Sequence, residues 1–430
     1  MPFISIPSIF RRSRRIVTNA RADRSPGSVL TNGHASAVVI GLSYYFLTTL
    51  PVVLAVFFGH WFLRPFLPPA PDRAGILQAF AANNGRSYAG IVDSGYAYTP
   101  GEQSNVAFFP AFPAVAAAIR KLTDLPAVTA LLLVSHGCLA AAFVVLYRYV
   151  QSRFRDSPPE FAEIVLLTFG TFPTGFFLRM AYSESLFLLL VLYVLYGIER
   201  HWPVAGVALV AGLATAARPV GAALLGPLVL YVWRSRKPTR RRIAELLWSL
   251  PLGCWGLIAY CAFLSVRFGE PFAFAKAQGE WWVRPEATVP RKLFSLCTLE
   301  PLWAVFDTAS PTFWAARDRH GAALFSLHAA NPLIFVAALL LLAFGCRRRW
   351  LSAYEAILAA GLFGIPYLTR AFEMGMAGFG RFTAVVFPLY LVLALIHTQL
   401  PRPASAAVHV LAGAYLAFYS ALFGAGYLLI

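Results

Sequence analysis

The sequence is poor in charge. Only 13% of its 430 residues are Asp, Glu, Lys or Arg, whereas 59% are hydrophobic and the mean hydropathy is +0.64. Soluble globular domains carry about twice that charged share, so a water-facing domain is excluded and a membrane protein implied. Cysteine is scarce too. Cys138, Cys254, Cys261, Cys297 and Cys346 show no CxxC or Cys/His ligand spacing, which excludes a disulfide framework and a structural zinc site. There is no Gly-rich nucleotide loop, no HExxH and no cluster among the eight histidines, so neither metal nor cofactor is expected.

Acidic residues are outnumbered 19 to 36 by Lys and Arg, giving a net charge of +17. On a soluble chain that would suggest nucleic acid. Here the arginines fall in short clusters between apolar spans, the pattern that orients a membrane protein and attracts anionic headgroups. Nucleic acid is not expected as a partner; membrane lipids are.

What is present is a series of apolar runs. A span needs about 20 mostly apolar residues, and on that basis the chain reads as all-α, with about eleven transmembrane helices. They are expected near 37–59, 126–147, 161–178, 184–198, 203–217, 220–233, 244–266, 330–346, 353–369, 382–398 and 406–429. Residues 1–36 form a basic tail, and 37–430 a single multi-span domain with outer loops at 60–125 and 267–329. Alternating sides span by span puts every dense basic cluster together, from the tail through Arg148, Arg153 and Arg155 to Arg347, Arg348 and Arg349. The positive-inside rule makes that side cytoplasmic, leaving the loops with the chemistry outside. The membrane is a bacterial inner membrane or the endoplasmic reticulum.

Residues 83–113, NNGRSYAGIVDSGYAYTPGEQSNVAFFPAFP, are the most unusual segment. They mix Arg86, Asp93 and Glu102 with aromatics before an apolar stretch from Val106 to Ile119 that suits an interfacial helix. An ordinary external loop with a turn at Pro100-Gly101 is the alternative. Elsewhere Arg179 and Glu184 flank Tyr182 and Ser183, Arg218 interrupts an apolar run, and Arg381 follows MGMAGFG. Ionisable residues at span ends face a cavity, a partner or a substrate. Converging arginines hold phosphate through forked donors; an Arg179–Glu184 pair or snorkelling to headgroups is the plainer alternative. Lys276 is a further cation of this kind.

GYAYTPGEQSNVAFFPAFP (95–113) resembles the first outer loop of the GPI mannosyltransferase II (PIG-V) family and its bacterial relatives. FPTGFFLRMAYSESLFLL (172–189), ATAARPVGAAL (214–224), FGEPFAFAKAQGEWW (268–282) and GFGRFTAVVFP (378–388) resemble later family segments in the same order. The resemblance covers roughly residues 40–400. It implies a C-type glycosyltransferase that takes a sugar, usually mannose, from a polyprenyl-phosphate carrier on the non-cytoplasmic side. The acceptor is not implied. Such chemistry needs a carboxylate to deprotonate the acceptor hydroxyl and cations to stabilise the departing phosphate. Aligned on Gly95-Tyr96 and Phe108-Phe109-Pro110, Asn83 and Asn84 stand where the family carries Trp-Asp. An amide cannot serve as base, so Asp93 and Glu102 become the candidates; a shifted alignment sets Asp93 itself in that place. Arg179, Glu184, Arg218, Lys276 and Arg381 are the candidate substrate-binding residues. Two other classes stay open: a non-catalytic relative that binds lipid-linked sugar or assists a membrane-protein partner, and a transporter or flippase. Against the last, no internal repeat with broken helices in matching halves is visible.

Overall fold

The computed structural model describes residues 26–64, 75–317, 326–427 and 429, and among these the regular structure is entirely helical. The tail arginines from Arg11 to Arg24 lie outside the described residues. The first helix, α1, runs Pro26–Phe58 and continues as a π-helical turn, Gly59–Leu63. It begins about ten residues before the expected span.

The stretch expected as the first outer loop is itself helical: α2 (Ile76–Phe80), α3 (Asn84–Ser94) and α4 (Ala111–Thr123). The apolar stretch expected as one interfacial helix from Val106 therefore starts at Ala111, after a 3₁₀ turn at Asn105–Ala107. Next come α5 (Ala127–Arg153), α6 (Pro159–Gly170), a 3₁₀ segment (Pro173–Arg179), α7 (Glu184–Glu199) and α8 (Val204–Ala217). A second 3₁₀ segment, Pro219–Leu224, leads into α9 (Leu225–Trp233), followed by α10 (Thr239–Gly253) and α11 (Trp255–Phe268). The stretch expected as the second outer loop holds α12 (Ala273–Gly279), α13 (Val289–Cys297), α14 (Glu300–Trp303) and α15 (Trp314–Arg317). The chain closes with α16 (Leu327–Arg347), α17 (Ala353–Met374), α18 (Phe379–Thr383), α19 (Pro388–His397) and α20 (Arg402–Ala425).

Every expected span thus contains helix, but three are broken. The run at 161–178 turns by 82° between α6 and the 3₁₀ segment, because Pro173 drives Phe172 out of the helical region (ψ 129°). The run at 244–266 bends by 51° after Pro251, which cannot donate to the ladder. The run at 382–398 is divided between α18 and α19. Among the described residues four helices are long and apolar enough to cross a membrane, or six counting each bent pair as one. The remaining expected spans fall short in length or apolarity.

α7 lies at the centre, with Phe187, Leu188, Val191, Leu192 and Val194 fully buried. α1 and α20 pack at the edge with their backbones nearly touching. A Cβ on Gly59 would lie 1.8 Å from the Ala421 carbonyl oxygen, so only glycine permits this approach. The outer face of α1 shows Phe46, Leu47, Leu50, Leu54 and Phe58. Such an apolar face is costly in water and suits lipid.

Helix polarity then sorts charge. The start of α7 and the ends of α8 and α17 meet at one end of the bundle, with Glu184, Arg218 and Arg370. Their opposite ends lie beside Arg200 and the run from Arg347 to Arg349.

Candidate functional site

A cavity of about 790 Å³ opens where those helix ends meet. All five segments singled out in the sequence contribute to its wall. The first supplies Ala107, Phe108 and Phe109, and the stretch just before it, from 83, adds Asn83, Asn84, Arg86 and Tyr88; the second supplies Tyr182, Ser183 and Glu184; the third Arg218. The fourth supplies Gln278, Trp281 and Trp282, and the fifth Arg381 and Phe382. The remainder comes chiefly from α17, through Leu362, Ile365, Pro366, Thr369, Arg370 and Met374.

Local hydrogen bonds tie the first two segments together. Tyr88 Oη donates to Ser183 Oγ (2.9 Å), Tyr182 Oη to the Ala82 carbonyl (2.9 Å), and the Ala181 amide to the Phe80 carbonyl (3.0 Å). Between them Asn83 adopts φ 55° and ψ −115° at the cap of α3. That region is strained for any residue with a Cβ, and such strain gathers where surroundings impose a functional geometry.

The electrostatics are one-sided. Arg86, Arg218, Arg370 and Arg381 face the cavity with Glu184 as the only carboxylate side chain among the described residues, so four positive charges against one leave a net three. Glu184 is buried and already committed. Its Oε1 is held by Arg218 and lies 3.0 Å from Arg381 Nε. The guanidinium carbons of Arg218, Arg370 and Arg381 lie 5.5, 5.6 and 5.5 Å from the Phe382 ring centroid. Three cations thus share one ring, whose face eases but does not neutralise their charge. Arg370 has no ion-pair partner among the described residues. An anion with several acceptor oxygens is what this arrangement can hold.

The other candidates lie elsewhere. Asp93, at the exposed end of α3, is paired with Arg120 and is not part of the wall. Glu102 is exposed on the loop that follows, also off the wall, with no ion-pair partner among the described residues. Lys276 is exposed and paired with Glu270. Arg179 is fully buried in the bundle rather than in the cavity, and it does not pair with Glu184. Its guanidinium donates to the Gly175 and Gly170 carbonyls (2.8 and 3.1 Å) and to Thr48 Oγ1 and Thr49 Oγ1 (3.0 and 3.2 Å). The 82° turn before the 3₁₀ segment directs it back among α1 and α6. It anchors that segment, and so the presentation of Glu184 five residues on.

Sequence reasoning missed Arg370, Trp281 and Trp282 as wall residues. Among the described residues no three His, Cys, Asp or Glu gather as a metal site, and all five cysteines are free.

No protein-family model matches the chain, and no curated protein does. Among solved structures it is similar to the oligosaccharyltransferase of Archaeoglobus fulgidus. With the apo form the identity is 14% and the TM-score 0.46, over 92% of this chain and 56% of that one. With the archaeal oligosaccharyltransferase AglB in complex with an inhibitory peptide and a dolichol-phosphate, the identity is 13% and the TM-score 0.44, over 93% and 56%. The chain spans just over half the length of those structures. Likeness of this degree assigns no chemistry.

Proposed function

We propose that the protein is a membrane glycosyltransferase that takes a hexose, mannose by its motif resemblance, from a polyprenyl-phosphate carrier at the non-cytoplasmic face. One observation carries this reading. Five segments scattered over more than 300 residues of sequence build a single cavity with three net positive charges, at the bundle end away from the basic clusters. The positive-inside rule then puts the cavity outside. In the reaction the acceptor hydroxyl attacks the anomeric carbon and passes its proton to a carboxylate base. The carbon–oxygen bond to phosphate breaks, and its electron pair leaves on the polyprenyl phosphate. That oxygen gains charge, which the guanidiniums of Arg218, Arg370 and Arg381 stabilise. Of the two candidate bases, Glu102 is the one not neutralised by an arginine.

The test is transfer of labelled mannose from polyprenyl-phosphate mannose in proteoliposomes. Wild-type protein transfers, and Arg218→Ala, still inserted, does not; undiminished transfer by that variant removes Arg218 from the mechanism.

A second reading is favoured by Asn84. The wall has an amide where the resemblance calls for a carboxylate, and its one carboxylate is occupied. On this reading the protein binds lipid-linked sugar without turnover. Binding by wild type with turnover only in Asn84→Asp would favour it over the first.

A further inference from the structure

The stretch expected as the second outer loop is clamped to α17 beside the arginines. The amides of Val283 and Arg284 both donate to the Glu373 carbonyl (3.1 and 3.2 Å). Arg284 makes a forked pair with Glu300 (2.7 and 2.6 Å) and stacks on Phe372 at 4.9 Å. Lys292 adds an ion pair to Glu373 at 2.8 Å and lies 4.8 Å from the Trp282 ring centroid. These contacts fix the chain just before them, Trp281 and Trp282, about one helical turn along α17 from Arg370.

The two indoles are not equivalent. Trp282 is covered by a cation, whereas Trp281 has no aromatic or cationic partner among the described residues, is 38% exposed, and lines the cavity. A large aromatic face left open beside the arginines, in a cavity otherwise lined by side chains such as Phe274 and Leu362, offers a flat surface on which an apolar face can pack. A hexose offers one: the C–H face of its ring. In a glycosyl phosphate that ring is joined to phosphate through a single oxygen, and here an open indole and the Arg370 guanidinium, which has no ion-pair partner among the described residues, belong to the same wall.

We infer that Trp281 is the sugar platform of this site, stacking the hexose of a glycosyl phosphate whose phosphate is held by Arg370, Arg218 and Arg381. The inference rests on the lipid-phosphate-sugar reading and adds the residue that recognises the sugar. It makes two ligands distinguishable. Polyprenyl-phosphate mannose engages both the platform and the arginines; bare polyprenyl phosphate engages the arginines alone.

The experiment measures binding of both lipids to purified wild type, Trp281→Ala and Trp281→Phe in nanodiscs. Trp281→Ala is expected to weaken polyprenyl-phosphate mannose about tenfold and leave bare polyprenyl phosphate unchanged, which also reports that the variant is folded. Trp281→Phe is expected to recover most of the loss. Equal weakening of both lipids, or of neither, overturns the platform. Wild-type protein that binds neither lipid removes the lipid-phosphate reading itself and the platform with it. Failure of Trp281→Ala to discriminate, with both lipids bound by wild type, removes the platform alone.

Discussion

Arg381 Nε lies 3.0 Å from Glu184 Oε1, the oxygen that Arg218 also holds. One buried carboxylate therefore keeps two guanidiniums together at the cavity wall. Removing one partner of a buried ion pair leaves charge uncompensated, at a cost of about 3–5 kcal/mol. Glu184→Gln is expected to lower the thermal midpoint of the detergent-solubilised protein by several degrees and to weaken donor binding. A variant with wild-type midpoint and no transfer would instead make Glu184 the base.

Arg370 faces the same cavity without such an attachment. Arg370→Ala is expected to leave thermal stability near wild type. It should reduce donor affinity roughly tenfold to a hundredfold, the worth of one or two charge-assisted hydrogen bonds. Arg370→Lys should recover part, because an ammonium keeps the charge but not the fork. Titration of both variants with polyprenyl-phosphate mannose checks this, and a stability loss matching the affinity loss would refute it.

Arg179 is predicted to behave in the opposite way. Arg179→Met keeps the bulk of the side chain but strips donors from Thr48, Thr49 and the Gly170 and Gly175 carbonyls. Leaving such groups unpaired costs about 3 kcal/mol or more in total. Less protein should survive heating in detergent, while the folded fraction binds donor with wild-type affinity. Lost affinity in that fraction would place Arg179 in the binding site after all.

These contrasts mark how far the residues alone could lead. The helical class, the basic clusters and the arrival of Arg218, Glu184 and Arg381 at one place were legible, because apolar length and charge sidedness act along the chain. Arg179 was not separable from them. It sits five residues before Glu184, and only the turn imposed by Pro173 sends the two side chains to different surroundings. Arg370 was hidden differently: the expected span ended at 369, so it read as loop, whereas α17 continues to Met374 and carries Arg370 into the wall. Asp93 read as a free carboxylate because nothing in its own segment announces Arg120, a partner on α4.

The clamp that joins Val283, Arg284 and Lys292 to α17 has its own pH signature. Burial alone pushes the Glu300 carboxyl up, but hydrogen bonds from Arg284 and Ser295 and the Arg284 charge outweigh it and hold the group below its ordinary value. A carboxyl depressed in the folded state contributes stability above its unfolded value, about 4.3. That contribution is lost as pH falls through the folded value. Between pH 7 and pH 5 the clamp is expected to hold; below about pH 4 it should loosen, with Trp281 and Trp282 released from α17. Hydrogen exchange at the Val283 and Arg284 amides, which donate to Glu373, reads this directly. Protection should fall on acidification in wild type. In Glu300→Gln it should be low already at neutral pH and change less with pH. Acid-induced exposure of equal size in that variant would assign the effect to a group other than Glu300.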